Sequence, residues 1–322
     1  MVVTGATGFI GTHLIRRLRR ERIPVLAIVR TSPASRSTEH GVEYAVRDLE
    51  RTDTLRDLLR SGDVVVHLAA RVHMMRDTHP GSQDAYRRGN VETTRMLCRS
   101  AAESGARRFV FLSSAKVFGE GRERPYDPTD PPAPADPYAH SKLEAEEVVQ
   151  GIAERGGVEW TIFRPPFVYG GGGKGNFPRL IALARLSTRI PLPLASISNR
   201  RSIVYVGNLV DALLRCGLHA GAGGRILLPT DERDVSTPEL LDAIARVGSR
   251  RARLVRCPPR LLRTVARLVG RSGEMDRLTE SLRLDSRHLQ QDLHWQPPFD
   301  LETSLTQSVD ARRLTAKGLD DD

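Results

Sequence analysis

The sequence predicts an α/β fold: a Rossmann-type, doubly wound parallel sheet with a smaller C-terminal substrate-binding lobe. A short apolar run at 1–4 leads into a glycine-rich turn and then into a helical pattern. Apolar runs then alternate with helical patterns as far as residue 163, which is typical of a parallel sheet covered by helices. After that point two prolines and four consecutive glycines change the composition, and we expect a second lobe there.

Two units follow from this pattern. Residues 1–165 form the predicted dinucleotide-binding Rossmann domain, and 201–218 are expected to return to it. Residues 166–322 form mainly the predicted substrate-binding lobe. A chain of 322 residues is long enough for one sizeable core and a smaller second lobe.

The first turn has the features of a pyrophosphate-binding loop. Gly5, Gly8 and Gly11 separate the first strand from a helix that opens with Phe9 and Ile10. Glycines let the backbone turn tightly and approach a phosphate, whose charge is favoured at the N-terminus of a helix. The spacing GxxGxxG differs from the ordinary GxGxxG fingerprint. Strand, turn and helix in this order nevertheless predict a dinucleotide site.

The second predicted strand, 24–30, ends at the position that separates NAD from NADP. About 20 residues beyond the glycines, an acid binds the ribose 2′-hydroxyl of NAD, whereas an arginine accommodates the 2′-phosphate of NADP. Arg30 stands at that position, and the next acid in the chain is Glu39. The sequence therefore favours NADP(H), with NAD(H) as the alternative.

Strands and helices alternate further along the chain. The predicted strands lie at 42–46, 64–68 and 108–112. Helices are predicted near 52–60 and at 84–104. The loops after the strands would lie at the carboxyl edge of the sheet, where α/β folds bind their ligands.

Three residues are the candidate catalytic group. Ser114 follows the strand at 108–112, and Tyr138 and Lys142 lie four apart in a predicted helix, 138–155. Four residues apart on a helix means one face and neighbouring side chains. A cation beside a phenol lowers the pKa of the phenol, so we expect Tyr138 to exchange a proton near neutral pH.

Lysine usage supports this assignment. The chain has 49 basic residues, of which only Lys116, Lys142, Lys174 and Lys317 are lysine. An arginine cannot replace a lysine here because its guanidinium does not deprotonate and has a different shape. Two of the four lysines lie beside the proposed chemistry, which chance does not readily explain.

The second half of the sequence predicts elements of a smaller lobe. A proline-rich loop precedes the helix at 138–155, and a strand is predicted at 158–163. Asn176 opens another helix, and the chain returns as a strand at 199–206. Two later helices are predicted, at 236–247 and 259–270.

Composition argues against several classes of partner. The net charge is +10, but aromatic residues make up only 5% of the chain and the arginines are expected to be dispersed, so we expect no nucleic-acid partner. No apolar run approaches the roughly 18 residues of a membrane span, and no membrane partner is expected.

Cysteine and histidine spacing argue against disulfides and metals. Three widely spaced cysteines do not form a disulfide framework, and a reducing cytoplasm is expected. His67, His73 and His79 fall six apart, which places no two of them on one helical face. We expect no metal site.

With these residues in view, the chain resembles the extended short-chain dehydrogenase/reductases, specifically the nucleotide-sugar epimerase and dehydratase family. The likeness covers nearly the whole length, from the glycine turn at 4–11 through the Ser-Tyr-Lys set to Trp295-x-Pro297. It implies a cofactor site that also includes residues at the strand ends and in the following helix: Asp48 (at the adenine), Leu49, Leu68, Ala69, Ala70, Asn90 and Pro165, together with Tyr138 and Lys142. It further implies that Asn176 and Arg201 hold a substrate diphosphate, and a guanidinium fork suits phosphate oxygens.

Segments 114–120, 164–170 and 199–202 are similar to a bacterial subgroup of UDP-glucose 4-epimerases and UDP-N-acetylhexosamine 4-ketoreductases. Three residues depart from the usual pattern on the sugar side. Lys116 replaces a threonine, Pro165 replaces an asparagine, and Ser202 replaces an aspartate. Lys116 is either a second cation near the sugar oxygens or a solvated residue at the rim.

The resemblance implies an NAD(P)-dependent enzyme acting at C4 of a UDP-hexose or UDP-N-acetylhexosamine. The preferred hypothesis is reduction of a 4-keto group by NADPH, since Arg30 favours the phosphorylated cofactor. The alternative is a 4-epimerase with tightly bound NAD, and a third hypothesis is a non-catalytic NADP-binding regulator. A homodimer formed through the helices at 84–104 and 138–155 is a family expectation.

Overall fold

The computed structural model describes residues 1–31, 41–72, 82–122, 124–173, 176–268 and 272–317. Glu39, His73 and His79, on which parts of the cofactor and metal predictions rest, lie outside these residues. Within the described ranges the strands are β1 (Val2–Thr4), β2 (Val25–Val29), β3 (Val42–Val46), β4 (Val64–His67), β5 (Arg108–Leu112), β6 (Glu159–Phe163), β7 (Phe167–Tyr169), β8 (Ile203–Tyr205) and β9 (Arg225–Leu227).

Seven of these strands form one sheet, in the order β3-β2-β1-β4-β5-β6-β9, and every neighbouring pair is parallel. The order reverses direction at β1, which is the signature of a doubly wound sheet. The predicted fold class is confirmed.

The α-helices of the described residues are α1 (Phe9–Arg20), α2 (Ser82–Tyr86), α3 (Thr93–Glu103), α4 (Pro137–Arg155), α5 (Asn176–Ser187), α6 (Val206–Leu218), α7 (Thr237–Val247), α8 (Pro259–Leu268), α9 (Ser272–Thr279), α10 (Arg287–Leu293) and α11 (Leu301–Lys317). A π-helical segment, Arg87–Glu92, joins α2 to α3, and short 3₁₀ helices form at Ala115–Phe118 and Ala220–Ala222. Among the described helices, none combines the length and the apolar character needed to cross a bilayer.

β1 is short but lies at the centre of the sheet. Val3 pairs with Ala27 of β2 on one side and with Val66 of β4 on the other. Val3 packs into the apolar cluster that contains α1 and α6, whereas Val2 packs into the one that contains α3 and α4. Successive side chains of a strand face opposite sides of the sheet, so the three buried residues of β1 contribute to both cores.

The helix that carries the candidate catalytic pair starts where its sequence directs. Asp136 is the N-cap, and its carboxylate accepts from the Ala139 N–H at 2.8 Å. Pro137 occupies the first turn, where a missing N–H has no cost. α4 then runs to Arg155, in agreement with the predicted helix 138–155.

The predicted helix near 52–60 is wrong. That segment makes a single turn, in which Leu58 N and Leu59 N both donate to Leu55 O. The Leu55 N–H donates instead to the Ser100 hydroxyl of α3 at 2.9 Å. Burial of Leu55 and Leu59 against the sheet, rather than helical periodicity, decides the conformation.

The predicted helix at 84–104 is interrupted. Its middle part adopts the π-helical segment Arg87–Glu92, where the Thr93 hydroxyl donates to Gly89 O and the Thr94 hydroxyl donates to Asn90 O. Such bulges are frequent at functional sites, and this one turns Asn90 inward, where it is 1% exposed.

The C-terminal part of the chain packs beside the sheet and also contributes to it. β7 and β8 form a separate parallel pair, while α5 packs on α7. β9 joins the main sheet beside β6, and the sequence analysis did not anticipate that strand. The division of the chain near residue 166 remains a prediction.

Candidate active site

The predicted site residues follow six neighbouring parallel strands. Because the strands are parallel, their carboxyl ends lie at one edge of the sheet. Moving across the sheet from β3 to β6, the residues at that edge are Asp48, Arg30, Gly5, Leu68, Ser114 and Pro165. The topology therefore brings the predicted cofactor and catalytic residues to one edge.

The glycine turn is closed so tightly that side chains are excluded. Gly5 has φ +68°, and a Cβ atom on it would lie 2.6 Å from the Ala69 nitrogen. A Cβ atom on Gly11 would lie 2.1 Å from the Gly5 carbonyl oxygen. Both values are below any real Cβ contact, so these positions require glycine.

This turn fits a dinucleotide pyrophosphate. Gly8 is the N-cap of α1 and supplies no side-chain cap, and the first turn of α1 contains no acid. The N–H groups at the start of α1 are therefore available to an anion, which the helix dipole also favours. The run at 170–173 lies close to this helix start: the His13 ring bonds the Gly171 carbonyl oxygen at 3.2 Å, and a Cβ on Gly173 would touch the Phe9 ring.

Arg30 and Asp48 stand on the far side of the glycine turn from Ser114. Arg30 is exposed and makes no ion pair with any residue in the described ranges. Asp48 lies in the loop after β3, where its carboxylate accepts from the Glu50 N–H at 3.2 Å and is 3.6 Å from Arg51. Leu49 packs partly against the core cluster that contains α3 and α4.

His67 is a structural residue rather than a ligand. Its ring bonds the Thr4 hydroxyl at 2.6 Å and the Thr94 hydroxyl at 3.0 Å, and it is fully buried. Burial, together with the nearby cation of Lys142, lowers the pKa of His67 to about 3. The ring is therefore neutral, and the described residues hold no cluster of metal ligands.

Asn90 holds the cofactor-side loop against α4. Its amide oxygen accepts from the Arg71 N–H at 2.7 Å, and its amide nitrogen donates to Arg71 O and to the Ser141 hydroxyl. Ser141 in turn donates to the Tyr138 carbonyl oxygen at 2.8 Å. The structure thus shows Asn90 positioning the loop that contains Ala69 and Ala70, while direct contact with a cofactor stays a prediction.

Ser114 and Tyr138 are in contact. The Ser114 hydroxyl lies close enough to the phenol to lower the pKa of Tyr138 by hydrogen bonding, although the two residues belong to different elements. Ser114 N-caps the 3₁₀ helix Ala115–Phe118, and the Ala115 N–H donates to Pro165 O at 2.9 Å. The loop after β6 therefore fixes the loop that presents Ser114 to the phenol.

The expected low pKa of Tyr138 is not what the structure gives. Burial raises the pKa of Tyr138 to about 12, the carboxylate of Asp136 adds to the rise, and the bond from Ser114 opposes it. The Asp136 carboxylate is itself held by Lys116, with Nζ 2.7 Å from Oδ2. Lys116 therefore interacts with the phenol of Tyr138 only through the carboxylate of Asp136.

Lys142 is buried one turn further along α4, 1% exposed. Its Nζ lies 4.0 Å from the centroid of the Phe111 ring, a cation–π contact. Burial lowers the pKa of Lys142 to about 7, and the carboxylate of Glu146 opposes that shift. The lysine, and not the tyrosine, is the group whose titration lies near neutral pH.

A buried ion pair supports this lysine, and the sequence analysis missed it. Glu146 lies one turn beyond Lys142 on α4 and pairs with Arg164 at 2.6 Å, with both side chains almost fully buried. The Ser113 hydroxyl donates to the same carboxylate. The Arg164 guanidinium also stacks on the Phe118 ring, 4.7 Å from its centroid. The signal was available, since Glu146 continues the i, i+4 series of Tyr138 and Lys142.

The two predicted diphosphate ligands occupy different surroundings. Arg201 donates to Glu280 O at 3.0 Å and lies 3.4 Å from the Glu120 carboxylate. A hydrogen bond with Glu120, burial and like charge together raise the pKa of Glu280 to about 7. Asn176 is exposed at the first residue of α5.

Comparison with known proteins identifies the family of this chain. The family model described as "NAD dependent epimerase/dehydratase family" matches residues 1–227. The UDP-glucose 4-epimerase of Vibrio cholerae is 36% identical over 315 residues, covering 97% of this chain and 94% of that protein. The UDP-glucose 4-epimerase of Mycolicibacterium smegmatis is 28% identical, covering 96% of this chain and 97% of that one.

Solved structures share the fold over the full length. MoeE5 in complex with UDP-glucuronic acid and NAD has a TM-score of 0.75 at 25% identity, covering 98% of this chain and 99% of that one. The UDP-glucose 4-epimerase of Thermotoga maritima, solved with UDP-glucose, has a TM-score of 0.77 at 21% identity, covering 98% and 99%. These likenesses confirm the resemblance inferred from the sequence.

Proposed function

The chain belongs to the NAD-dependent epimerase/dehydratase family of enzymes, and on that premise we propose that it is a UDP-hexose 4-epimerase. One observation carries the proposal: Ser114 acts on the Tyr138 phenol, and Lys142 is buried one turn further along the same helix, beside the sheet that also holds the glycine turn. Similarity to a UDP-glucose 4-epimerase along nearly the whole chain supports the reaction type. An intact catalytic set argues against a non-catalytic regulator.

The residues divide the chemistry between binding and proton transfer. A bound nicotinamide ring supplies hydride transfer to and from C4 of the sugar. Tyr138 takes the proton of the C4 hydroxyl and returns it, and Ser114 hydrogen-bonds the same oxygen. The ammonium of Lys142 favours the ionised phenol that must form during that step.

The two lobes have separate tasks in this proposal. The glycine turn, Leu68 and Ala69 hold the dinucleotide, while Arg201 and Asn176 hold the diphosphate of the UDP-sugar. Epimerisation then requires the sugar to present both faces of C4 to the same ring. A diphosphate held on the second lobe leaves the hexose itself free to rotate.

A second candidate is a UDP-sugar 4-ketoreductase that uses NADPH. Arg30 favours it, because an exposed guanidinium without an ion pair in the described part of the chain is suited to a 2′-phosphate. Net reduction consumes reduced cofactor at every turnover, whereas epimerisation is redox-neutral. The family's use of NAD supports the first candidate.

The two candidates are separated by identifying the cofactor and the reaction together. Purified protein is denatured, and the released nucleotide is identified by mass spectrometry. Conversion of UDP-glucose to UDP-galactose without added cofactor, with NAD released, is expected. Oxidation of added NADPH by a UDP-4-keto-6-deoxy sugar, with no nucleotide released, would instead establish the reductase.

Tyr138→Phe is the direct test of the assigned acid and base. The variant is expected to lower kcat by about 10²–10⁴-fold, the range for general acid–base catalysis, with the same nucleotide bound. Tyr126→Phe is the matched control, because Tyr126 is buried against Phe118 and does not belong to α4. Equal rates for wild type and Tyr138→Phe would remove the assignment.

We also propose that the protein forms a homodimer through the outward faces of α3 and α4. The support is the family expectation and the exposed position of His140 and Glu147 on α4. Light scattering coupled to size exclusion measures the mass directly. A monomer at assay concentration would reject this part of the proposal without touching the reaction.

A further inference from the structure

Positive charge is distributed unevenly along the chain. Residues 243–273 contain nine arginines and no aspartate or glutamate. The whole chain has a formal net charge of +10, so this one segment accounts for nearly all of it. The expectation that the arginines are dispersed is therefore wrong here.

Most of the described arginines of this segment are exposed and make no ion pair with another described residue. The described ones with exposed side chains are Arg246, Arg250, Arg251, Arg253, Arg256, Arg260 and Arg267. Arg246 pairs with Asp242 at 2.7 Å. The other six make no ion pair with any residue that the structure describes. Their charge is directed outward.

The end of α5 lies against the same segment. The Arg253 N–H donates to Ser187 O at 2.8 Å, and the Leu192 N–H donates to Arg253 O at 2.9 Å. Arg185 and Arg189, at and just beyond the end of α5, are exposed as well. We call the exposed residues of 185–190 and 250–268 the basic face.

Exposed apolar side chains concentrate on the basic face. Among the described residues seven large apolar side chains are exposed, and five of them lie here: Leu186, Ile190, Val255, Leu261 and Leu268. Leu268 is 82% exposed. Single exposed apolar residues are ordinary, but their concentration in two segments that are rich in exposed arginine marks an interaction site.

α8 shows both features on one side. Leu261 and Leu268 are seven residues apart, and so are Arg260 and Arg267, which places all four on one face of the helix. Leu262 is buried on the other side. A helix with arginines beside leucines on its outward face has the pattern of an interfacial amphipathic helix.

We propose that the basic face docks on the surface of an anionic lipid bilayer. Arginines pair with anionic headgroups while neighbouring leucines enter the boundary with the acyl chains. The basic face contains no aromatic residue, so it lacks the stacking platform of a single-strand nucleic-acid site. A second copy of the chain would bring the same positive charge and be repelled.

The docking is peripheral and does not depend on the proposed reaction. The expectation of no membrane partner rested on the lack of a spanning segment, which the described helices also lack. A surface helix needs no such segment. The basic face includes none of the residues assigned to cofactor, substrate or proton transfer.

The test is co-sedimentation of the full-length protein with lipid vesicles. One set contains equal parts of phosphatidylglycerol and phosphatidylcholine, and the other contains phosphatidylcholine alone. We expect binding to the anionic vesicles, weakened by salt, and little binding to the neutral ones. Equal binding to both sets, or binding to neither, would overturn the proposal.

Variants assign the binding to these residues. The double variant Arg253→Gln, Arg256→Gln is expected to lower the partition coefficient about 30-fold, since each arginine contributes about 5-fold near an anionic surface. Leu261→Ser with Leu268→Ser is expected to lower it at least about 10-fold. The matched control is Arg16→Gln with Arg20→Gln, which removes the same charge from the exposed side of α1.

Each remaining outcome has a defined meaning. If the α1 control loses as much vesicle binding as the basic-face variant, the effect comes from net charge alone and the proposal is rejected. Tighter binding of duplex DNA than of anionic vesicles would assign the face to nucleic acid. A wild-type oligomer that the basic-face variant dissociates would assign it to a second copy of the chain. Unchanged circular dichroism spectra and thermal midpoints of the variants show that they are folded.

Discussion

Arginine performs two different tasks in two regions of this molecule. Inside the sheet, Arg108 is 2% exposed, and its guanidinium bonds Glu159 and the carbonyl oxygens of Gly217 and His219. Arg164 is likewise paired with Glu146. On the basic face, eight exposed arginines make no ion pair with a residue in the described ranges. The surroundings of the guanidinium, and not the residue type, decide whether it stabilises the fold or is available to a ligand.

The largest expected difference between the two regions is in stability. Glu146→Gln leaves Arg164 buried without its counter-charge, and we expect the free energy of unfolding to fall by about 3–5 kcal/mol. Glu144→Gln is the matched control on the same helix, since its pair with Arg87 is exposed and contributes little. Urea denaturation measures both. Similar losses in the two variants would erase the distinction.

The same carboxylate is expected to set the pH dependence of activity. The pKa of Lys142 is about 7, so its ammonium is present below that pH and is lost as pH rises through it. Removing the negative charge of Glu146 lowers the pKa of Lys142 further. The alkaline limb of kcat/KM is therefore expected to move to lower pH in Glu146→Gln, measured at a temperature where circular dichroism shows it folded. If the alkaline limb of kcat/KM lies at the same pH in Glu146→Gln and the wild type, Glu146 is excluded as a positioning residue.

A smaller effect, on KM, is expected at Arg201, which is only partly exposed. The pKa of Glu280 is about 7, so the Glu280 carboxylate is ionised above that pH and competes with a diphosphate for the Arg201 guanidinium. KM for the UDP-sugar is expected to rise as pH rises through 7. Glu280→Gln should remove most of that rise. A KM that follows the same curve in both proteins would contradict the assignment of Arg201.

The smallest effect is expected on the basic face. Arg253→Gln with Arg256→Gln removes no ion pair among the described residues, so the free energy of unfolding should change by no more than about 0.5 kcal/mol. Thermal denaturation in dilute buffer measures it. A clear loss of stability would mean that these arginines have structural partners, and the contrast with Arg164 would fail.

Local patterns predicted the elements of the fold well. The glycine turn, the strand at 42–46 and the helix from Asp136 onward follow from residues adjacent in sequence. The turn near Leu55 was missed because its backbone is satisfied by Ser100 of α3, a partner 45 residues away. β9 was missed because three residues give no periodicity, and its place in the sheet is set by β6.

The sequence predicted which residues make up the candidate site more fully than it predicted their pKa values. Ser114, Tyr138 and Lys142 were predicted from the end of a strand, the four-residue spacing and the sparing use of lysine. The spacing cannot show that Tyr138 is desolvated and lies near Asp136, which raises its pKa, or that burial brings Lys142 to near neutral. Glu146 and Arg164 come together only after α4 packs on β5 and β6.

The bonds of Asn90 have a consequence for anyone who would re-engineer this enzyme's cofactor. Because one amide side chain ties the Arg71 backbone to Ser141 on the catalytic helix, substitutions in the adjoining loop would disturb turnover together with nucleotide choice. Arg30, separated from that tie by the width of two strands, offers a place where selectivity can be altered while the reaction machinery is left undisturbed.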